Sequence, residues 1–363
     1  MSGSGQHVVR LVAYIWCMPT YSAVVTTGIY CRPGCSARPL ARNVLTFEHP
    51  AAAEAAGFRA CHRCRPYRVA APLPATAPEL VCETVQQIIG GALDDGGTEA
   101  ALADRIGLSA RHLRRLFRSH LGVTPDQLAR SRRAHFARRL LDDTDLTVLD
   151  VAFASGFGSL RQFNRTMREV FREAPTDLRN RRHRADRLAA DGGLTLRLPV
   201  VPGYDWDTVR GFLAVRLVPG VETVDGVTYR RTISVGGAPG LLEVSPCSGD
   251  FLLLRVHLPY WEGLIHIVER AGQLLGTGGL PGVWNPFEAG VWAILAARPD
   301  WELVLTDFVA ELGAAVPGLP GGLTHAFPDP GAVAAASSKL GRLGLSAAEA
   351  EEVQALAGSF ISF

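Results

Sequence analysis

Seven cysteines occur in this 363-residue chain, and four of them stand in two tight pairs. Cys31 and Cys35 lie in TTGIYCRPGC, and Cys61 and Cys64 lie in ACHRC. Thiols so spaced can ligate a metal, form a disulfide, act as a redox pair or supply a nucleophile. The two pairs together read C-x3-C-x25-C-x2-C. Two short-spaced pairs, each gripping one edge of a tetrahedron from its own turn, suit a single four-cysteine Zn2+ site. Pro33 and Gly34 fit the turn that the first pair needs. A disulfide remains open, as does a thioredoxin-like use of Cys61 and Cys64, although no βαβ pattern frames that pair. Cys17 and Cys82 fall outside the spacing and carry no chemistry in this reading.

The elements that must position these sulfurs belong to a chain of several domains, two to four by length. Hydrophobic residues make up 47% and charged residues 20%, the balance of a soluble globular protein. No run of 18 apolar residues occurs, so no membrane span is expected. MSGSGQHVVRLVAYIWCMP lacks a basic leader and a small-residue cleavage site, so no signal peptide is expected. The expected location is the cytoplasm, on the nucleoid, where structural disulfides are disfavoured. The net charge of +2 is unevenly spread. Residues 98–187 hold 19 arginines against 11 acids, whereas residues 188–363 hold 10 basic residues against 18 acids. A basic middle points to nucleic acid.

That middle contains a repeat. In TEAALADRIGLSARHLRRLFRSHLGVTP, Ala101, Leu102 and Ile106 form an apolar face, Gly107 breaks the helix, and Ser109 caps a second helix to His120. Leu113, Leu116 and Phe117 point inward there, leaving Arg111, His112, Arg114, Arg115 and Arg118 on other faces. In DLTVLDVAFASGFGSLRQFNRTMREVFREAP, Val148, Val151 and Ala152 face inward and Ser159 caps a helix through Phe171. Leu160, Phe163 and Met167 are its inward residues, while Arg161, Gln162, Asn164, Arg165 and Arg168 can face out. Residues 125–143 read as one linking helix. From Leu196 the pattern turns to alternation, with helices expected at Asp207–Arg216 and Glu262–Leu275.

TTGIYCRPGC and SARPLARNVLTFEHPAAAEAAGFRACHRCRP, over about residues 24–68, resemble the zinc domain of Ada-type DNA alkylation-response proteins. The resemblance implies that Cys31, Cys35, Cys61 and Cys64 hold zinc. It also implies that Cys31 accepts a methyl group from a DNA methylphosphotriester; the charge lost from the cluster would then let the basic neighbours Arg32, Arg38 and Arg42 bind DNA with less opposition. A purely structural zinc site is the alternative. Residues 80–185 resemble an AraC-type DNA-binding domain, which implies double-stranded DNA at promoter sites, and RNA polymerase, as partners. PGYDWDTVRGFLAVR and LPGVWNPFEAGVWAILA resemble AlkA-type 3-methyladenine DNA glycosylases. Phe212 maps beside that family's flipped-base pocket but reads here as a core residue. No LPGIG-like hairpin followed by an Asp occurs, and Pro299 interrupts AILAARPDWELVL, so glycosylase activity is the alternative function rather than the expected one.

The fold class expected is multidomain α+β. Residues 1–23 are unmatched and 24–72 form a small zinc-bound α/β module. An all-α double helix-turn-helix domain covers 80–187 and an α+β glycosylase N-terminal domain covers 194–277. A truncated helical domain, without hairpin or catalytic Asp, covers 278–363. The function expected is a transcriptional activator and stoichiometric methyltransferase that senses DNA alkylation damage.

Overall fold

The computed structural model describes residues 20–70, 76–94, 96–188, 193–247 and 250–361. Cys17 and the rest of the N-terminal stretch read as unmatched, up to residue 19, lie outside them, as does the end of the SFISF tail. The described residues mix helix and sheet throughout.

Four short strands and one helix carry the cysteines. Strands β1 (Tyr21–Val24), β2 (Ile29–Cys31), β3 (Val44–Phe47) and β4 (Arg59–Ala60) form a sheet in the order β3-β1-β2-β4. β1 pairs antiparallel with β2 and β3, and β2 pairs parallel with β4. Helix α1 (Pro50–Ala55) packs on this sheet. His49 caps it by accepting from the Ala51 N–H through Nδ1 at 3.2 Å, and Pro50 sits where no N–H is needed.

Seven helices follow: α2 (Glu79–Ile89), α3 (Glu99–Arg105), α4 (Ala110–Leu121), α5 (Pro125–Asp143), α6 (Val148–Ala154), α7 (Leu160–Phe171) and α8 (Pro175–Asn180). Helix α5 has the bounds its sequence implies. Thr124 and Gln127 satisfy each other's backbone N–H groups at its start, a complete capping box. Ser109 and Ser159 cap the second helices of the two repeats. The repeats also end alike. Gly122 and Arg172 both take the left-handed conformation after α4 and α7. Arg172 accepts that strained conformation while its Nη2 donates to the Gly57 carbonyl of the cysteine module at 3.2 Å.

Two inward assignments are corrected. Ala101 is exposed and Ala103 fills its core position, because α3 begins at Glu99 and turns Leu102 and Ala103 inward together. Leu160 is 38% exposed, because it lies at the first turn of α7, beyond the packing of Phe163 and Met167. Helix α2 buries Val81, Val85 and Ile88 against the first repeat.

Helix α5 is the spine. Leu128 and Ala129 join one core with α1 and the first repeat. Ala134, Phe136, Ala137, Leu140 and Leu141 join another with the cysteine sheet, the second repeat and the following sheet. A helix buried on so many sides shows little amphipathic stripe.

The next unit is an antiparallel sheet of β5 (Leu194–Pro199), β6 (Glu222–Asp225), β7 (Thr228–Val235), β8 (Ala238–Pro246) and β9 (Phe251–His257), in the order β5-β9-β8-β7-β6. Leu252, Leu254 and Val256 alternate inward along β9. Helix α9 covers Trp206–Ala214 rather than Asp207–Arg216, because Asp205 caps it through the Asp207 N–H at 3.1 Å. Helix α10 covers Leu264–Leu275 rather than starting at Glu262, because left-handed Gly263 precedes it.

The remaining helices are α11 (Pro286–Leu295), α12 (Trp301–Leu312), α13 (Pro330–Ala335), α14 (Ser337–Leu340) and α15 (Ala347–Ile361). They share a third core that includes Phe287, Leu305, Phe308 and Val353.

Candidate metal centre and nucleic-acid interface

The turns after β2 and β4 bring the two cysteine pairs together. Cys31 ends β2, and the Cys35 N–H folds back to the Arg32 carbonyl at 3.3 Å. Cys61 follows β4, its N–H donating to the Tyr30 carbonyl at 2.9 Å. The turn through Cys64 closes where the Arg65 N–H meets the Cys61 carbonyl at 3.0 Å. All four Sγ atoms lie within 4.8 Å of one another. Zn–S bonds of about 2.3 Å place tetrahedral sulfurs roughly 3.8 Å apart, so the donor set and its size both fit one zinc ion. Arg63 clasps the two cysteine turns by donating to Ser36 Oγ at 2.9 Å, and Arg38 donates to the Cys35 carbonyl at 3.2 Å.

Sulfurs this close cannot all ionise without a cation. Hydrogen bonding to Cys64, then burial, pushes the Cys31 thiol well up. The same bond draws the Cys64 thiol down to about 5. Cys31 and Cys61 are buried, while Cys35 and Cys64 are half-buried. Exposure therefore does not single out Cys31.

The module is anchored to the DNA-binding repeats by buried polar groups that the sequence reading did not pick out. Tyr30 Oη donates to Glu54 Oε1 at 2.6 Å, and His135 Nε2 on α5 meets the same oxygen at 2.5 Å. Arg68 Nη2 lies 2.8 Å from Asp143 and 3.1 Å from Asp142, at the end of α5. Tyr67 Oη donates to Asp142 at 3.0 Å. His62, between two of the ligands, faces Glu173 at 3.2 Å. His135 and the acids of α5 carried the available signal, since polar residues on a linking helix need partners when it is buried.

The repeats place Arg111, His112, Arg115 and Arg118 on the exposed face of α4, beside a groove that reaches Arg130 of α5. A second groove follows α7 with Arg161, Gln162, Asn164, Arg165 and Arg168. Arg165 lies 3.6 Å from Glu169. Arg32 is half-buried beside the cluster, and Arg38 and Arg42 are exposed.

Arg114 differs from its neighbours, because it pairs with Glu99, which is 8% exposed and also accepts from the Asp126 N–H at 3.1 Å. Arg114→Ala is expected to strand that buried carboxylate and lower stability by about 1–3 kcal/mol. Arg118→Ala is expected to leave stability within about 0.5 kcal/mol and reduce the salt slope of DNA binding by about one. Denaturant melts and salt titrations of the two variants separate these outcomes.

Phe212 is not the core residue expected. It is 44% exposed on α9, and the Arg216 guanidinium lies 4.2 Å from its ring centre. Its position at the edge of the face that Trp206, Val209 and Leu213 bury accounts for the exposure.

Three family descriptions match the chain. "Metal binding domain of Ada" covers residues 18–67, "Helix-turn-helix domain" covers 102–181, and "AlkA N-terminal domain" covers 195–279. The probable bifunctional transcriptional activator/DNA repair enzyme AlkA of Mycobacterium tuberculosis strain H37Rv is 35% identical over 84% of this chain and 68% of its own length. This chain belongs to that family of Ada/AlkA-type activator and repair proteins. The bifunctional activator/repair enzyme Ada of Escherichia coli K12 is 33% identical over 40% of this chain and 41% of its own length. A 3-methyladenine DNA glycosylase from Archaeoglobus fulgidus covers 44% of this chain and 66% of its own, at 18% identity and a TM-score of 0.38. As a member of an Ada/AlkA-type family, the chain combines a zinc-binding module, AraC-type DNA-binding repeats and a glycosylase-like region. Among the described residues no helix is long and apolar enough to cross a membrane.

Proposed function

We propose that Cys31 takes the methyl group of a DNA methylphosphotriester and that the methylated chain then binds promoter DNA to activate transcription. The observation that carries this reading is the four-sulfur cluster in a module that Glu54 and Arg68 fasten to the linking helix of two DNA-binding repeats. Bound zinc keeps the sulfurs as thiolates near neutral pH. The Cys31 sulfur attacks the methyl carbon, a C–S bond forms, the C–O bond breaks, and the phosphate diester leaves with the electron pair. A methylphosphotriester is neutral, so it escapes the repulsion that a negative cluster exerts on ordinary phosphates. The transfer removes one negative charge from the cluster, so Arg32, Arg38 and Arg42 act on the DNA backbone with less opposition.

In this reading residues 24–72 are the sensor and 80–187 read the promoter. RNA polymerase is the partner that activation requires, and the protein works in the cytoplasm, on the nucleoid. Residues 194–277 and 278–363 keep glycosylase ancestry without assigned base release. Release of methylated bases above a blank would favour the rival glycosylase reading.

The test uses the full zinc-loaded chain incubated with a duplex carrying a methylphosphotriester. Its affinity for unmethylated duplex DNA is expected to rise about tenfold, and Cys31→His, which can keep a zinc ligand, is expected to show no rise. An unchanged affinity in the native chain overturns the switch.

A further inference from the structure

Helix α10, in the glycosylase-like unit, enters a seam where the two DNA-binding repeats meet their linking helix. Its first turn touches the second repeat and the segment that leads into the first. The Gly263 N–H donates to the Phe153 carbonyl of α6, in the second repeat, at 3.3 Å. His266 Nε2 lies 2.9 Å from Asp94, and its Nδ1 lies 3.3 Å from the Ile89 carbonyl, both in the segment that leads into the first repeat. One turn further, Glu269 pairs at 3.2 Å with Arg132 of α5.

The fit is close enough to restrict the residues around it. A Cβ on Gly91 would stand 3.0 Å from the His266 ring. A Cβ on Gly156, the turn of the second repeat, would stand 3.2 Å from Asp94 and 3.6 Å from Ile265. Both glycines have positive φ, +97° and +75°, so no ordinary side chain takes either place without strain. The Asp94 side chain is 8% exposed and also pairs with Arg133 of α5.

We propose that α10 is a strut that fixes the angle between the two DNA-reading repeats. Two recognition helices that enter successive major grooves must sit about 34 Å apart along one DNA face. If their angle fluctuates, ordering it is charged against binding, and the second repeat engages at a lower effective concentration. Contacts from one helix to the second repeat, to α5 and to the segment that leads from α2 into the first repeat remove that freedom before DNA arrives. The glycosylase-like unit thereby serves DNA reading, whether or not it acts on a base. The role is independent of methyl transfer at Cys31.

The test compares the full wild-type chain with His266→Ala/Glu269→Ala on two duplexes, one of about 10 bp that admits one repeat and one of about 30 bp that admits both. Affinity for the long duplex is expected to fall about tenfold, and affinity for the short one not to fall. Removing Glu269 deletes a negative charge and by itself would raise DNA affinity, so a fall is not electrostatic. An equal change on both duplexes, or none on either, overturns the strut. Should the double variant fail to fold, Glu269→Gln is read the same way, with a smaller loss expected on the long duplex alone.

Discussion

Replacing Cys61 by Ala is expected to cost the chain its zinc and the fold of residues 20–70, with a loss of several kcal/mol in overall stability. Cys61 is a buried ligand directly after β4, held against β2 by its N–H bond to the Tyr30 carbonyl at 2.9 Å. With three sulfurs left, the site loses the tetrahedral donor set on which so small a sheet depends. The damage spreads, because Ala51 and Ala52 complete the core of the first repeat, and Tyr30 and Tyr67 pack in the core that contains Phe136 and Leu140 of α5. Elemental analysis should give no stoichiometric zinc, and the thermal midpoint should fall by roughly 10 °C or more. A variant that melts with the native chain would show that the cysteine module is not an integral part of the fold.

The second large effect lies far from the zinc. Arg231 is 1% exposed on β7, with both Glu288 oxygens at 2.9 Å, Glu222 at 2.8 Å and the Trp284 ring centre at 4.5 Å. It ties the antiparallel sheet to α11. Arg231→Met leaves two buried carboxylates without their cation and is expected to destabilise by about 3–5 kcal/mol near neutral pH. The loss should shrink in acid. Burial already raises the Glu288 pKa above the ordinary carboxylate value, and Arg231 is the largest influence lowering it. Removing that influence raises the folded-state pKa further. The destabilisation is then fully present above this raised pKa and fades as the pH falls through it and protonation neutralises the acid. Denaturant melts of variant and native chain at pH 8 and pH 5 check the sign, and an equal or larger loss at pH 5 contradicts it.

Much of the site was legible in the sequence because short-range chemistry wrote it. The cysteine spacing requires two turns, and those turns gather four sulfurs within 4.8 Å. Ser109, Ser159 and Thr124 mark helix starts through side-chain caps that act over three residues. Residues 125–143 were bounded by the same local rules.

What escaped depends on partners distant in sequence. The Glu54–His135 contact spans 81 positions and the Arg68–Asp143 bond spans 75, so no periodicity announces them. Arg114 looked like its exposed neighbours until Glu99 was seen beneath it. Leu160 and Phe212 were read as inward because apolar side chains usually are, but their helices turn those positions to the surface.

The proposed methyl transfer depends on which sulfur reacts. Exposure alone favours the half-buried Cys35 or Cys64, whereas the proposed acceptor is buried Cys31 at the end of β2. The decisive measurement is peptide mass spectrometry of the zinc-loaded chain after a single turnover on methylphosphotriester DNA. One methyl group per chain is expected, on the Cys31 peptide. A methyl group on Cys35, Cys61 or Cys64, or none on any of the four, would contradict it.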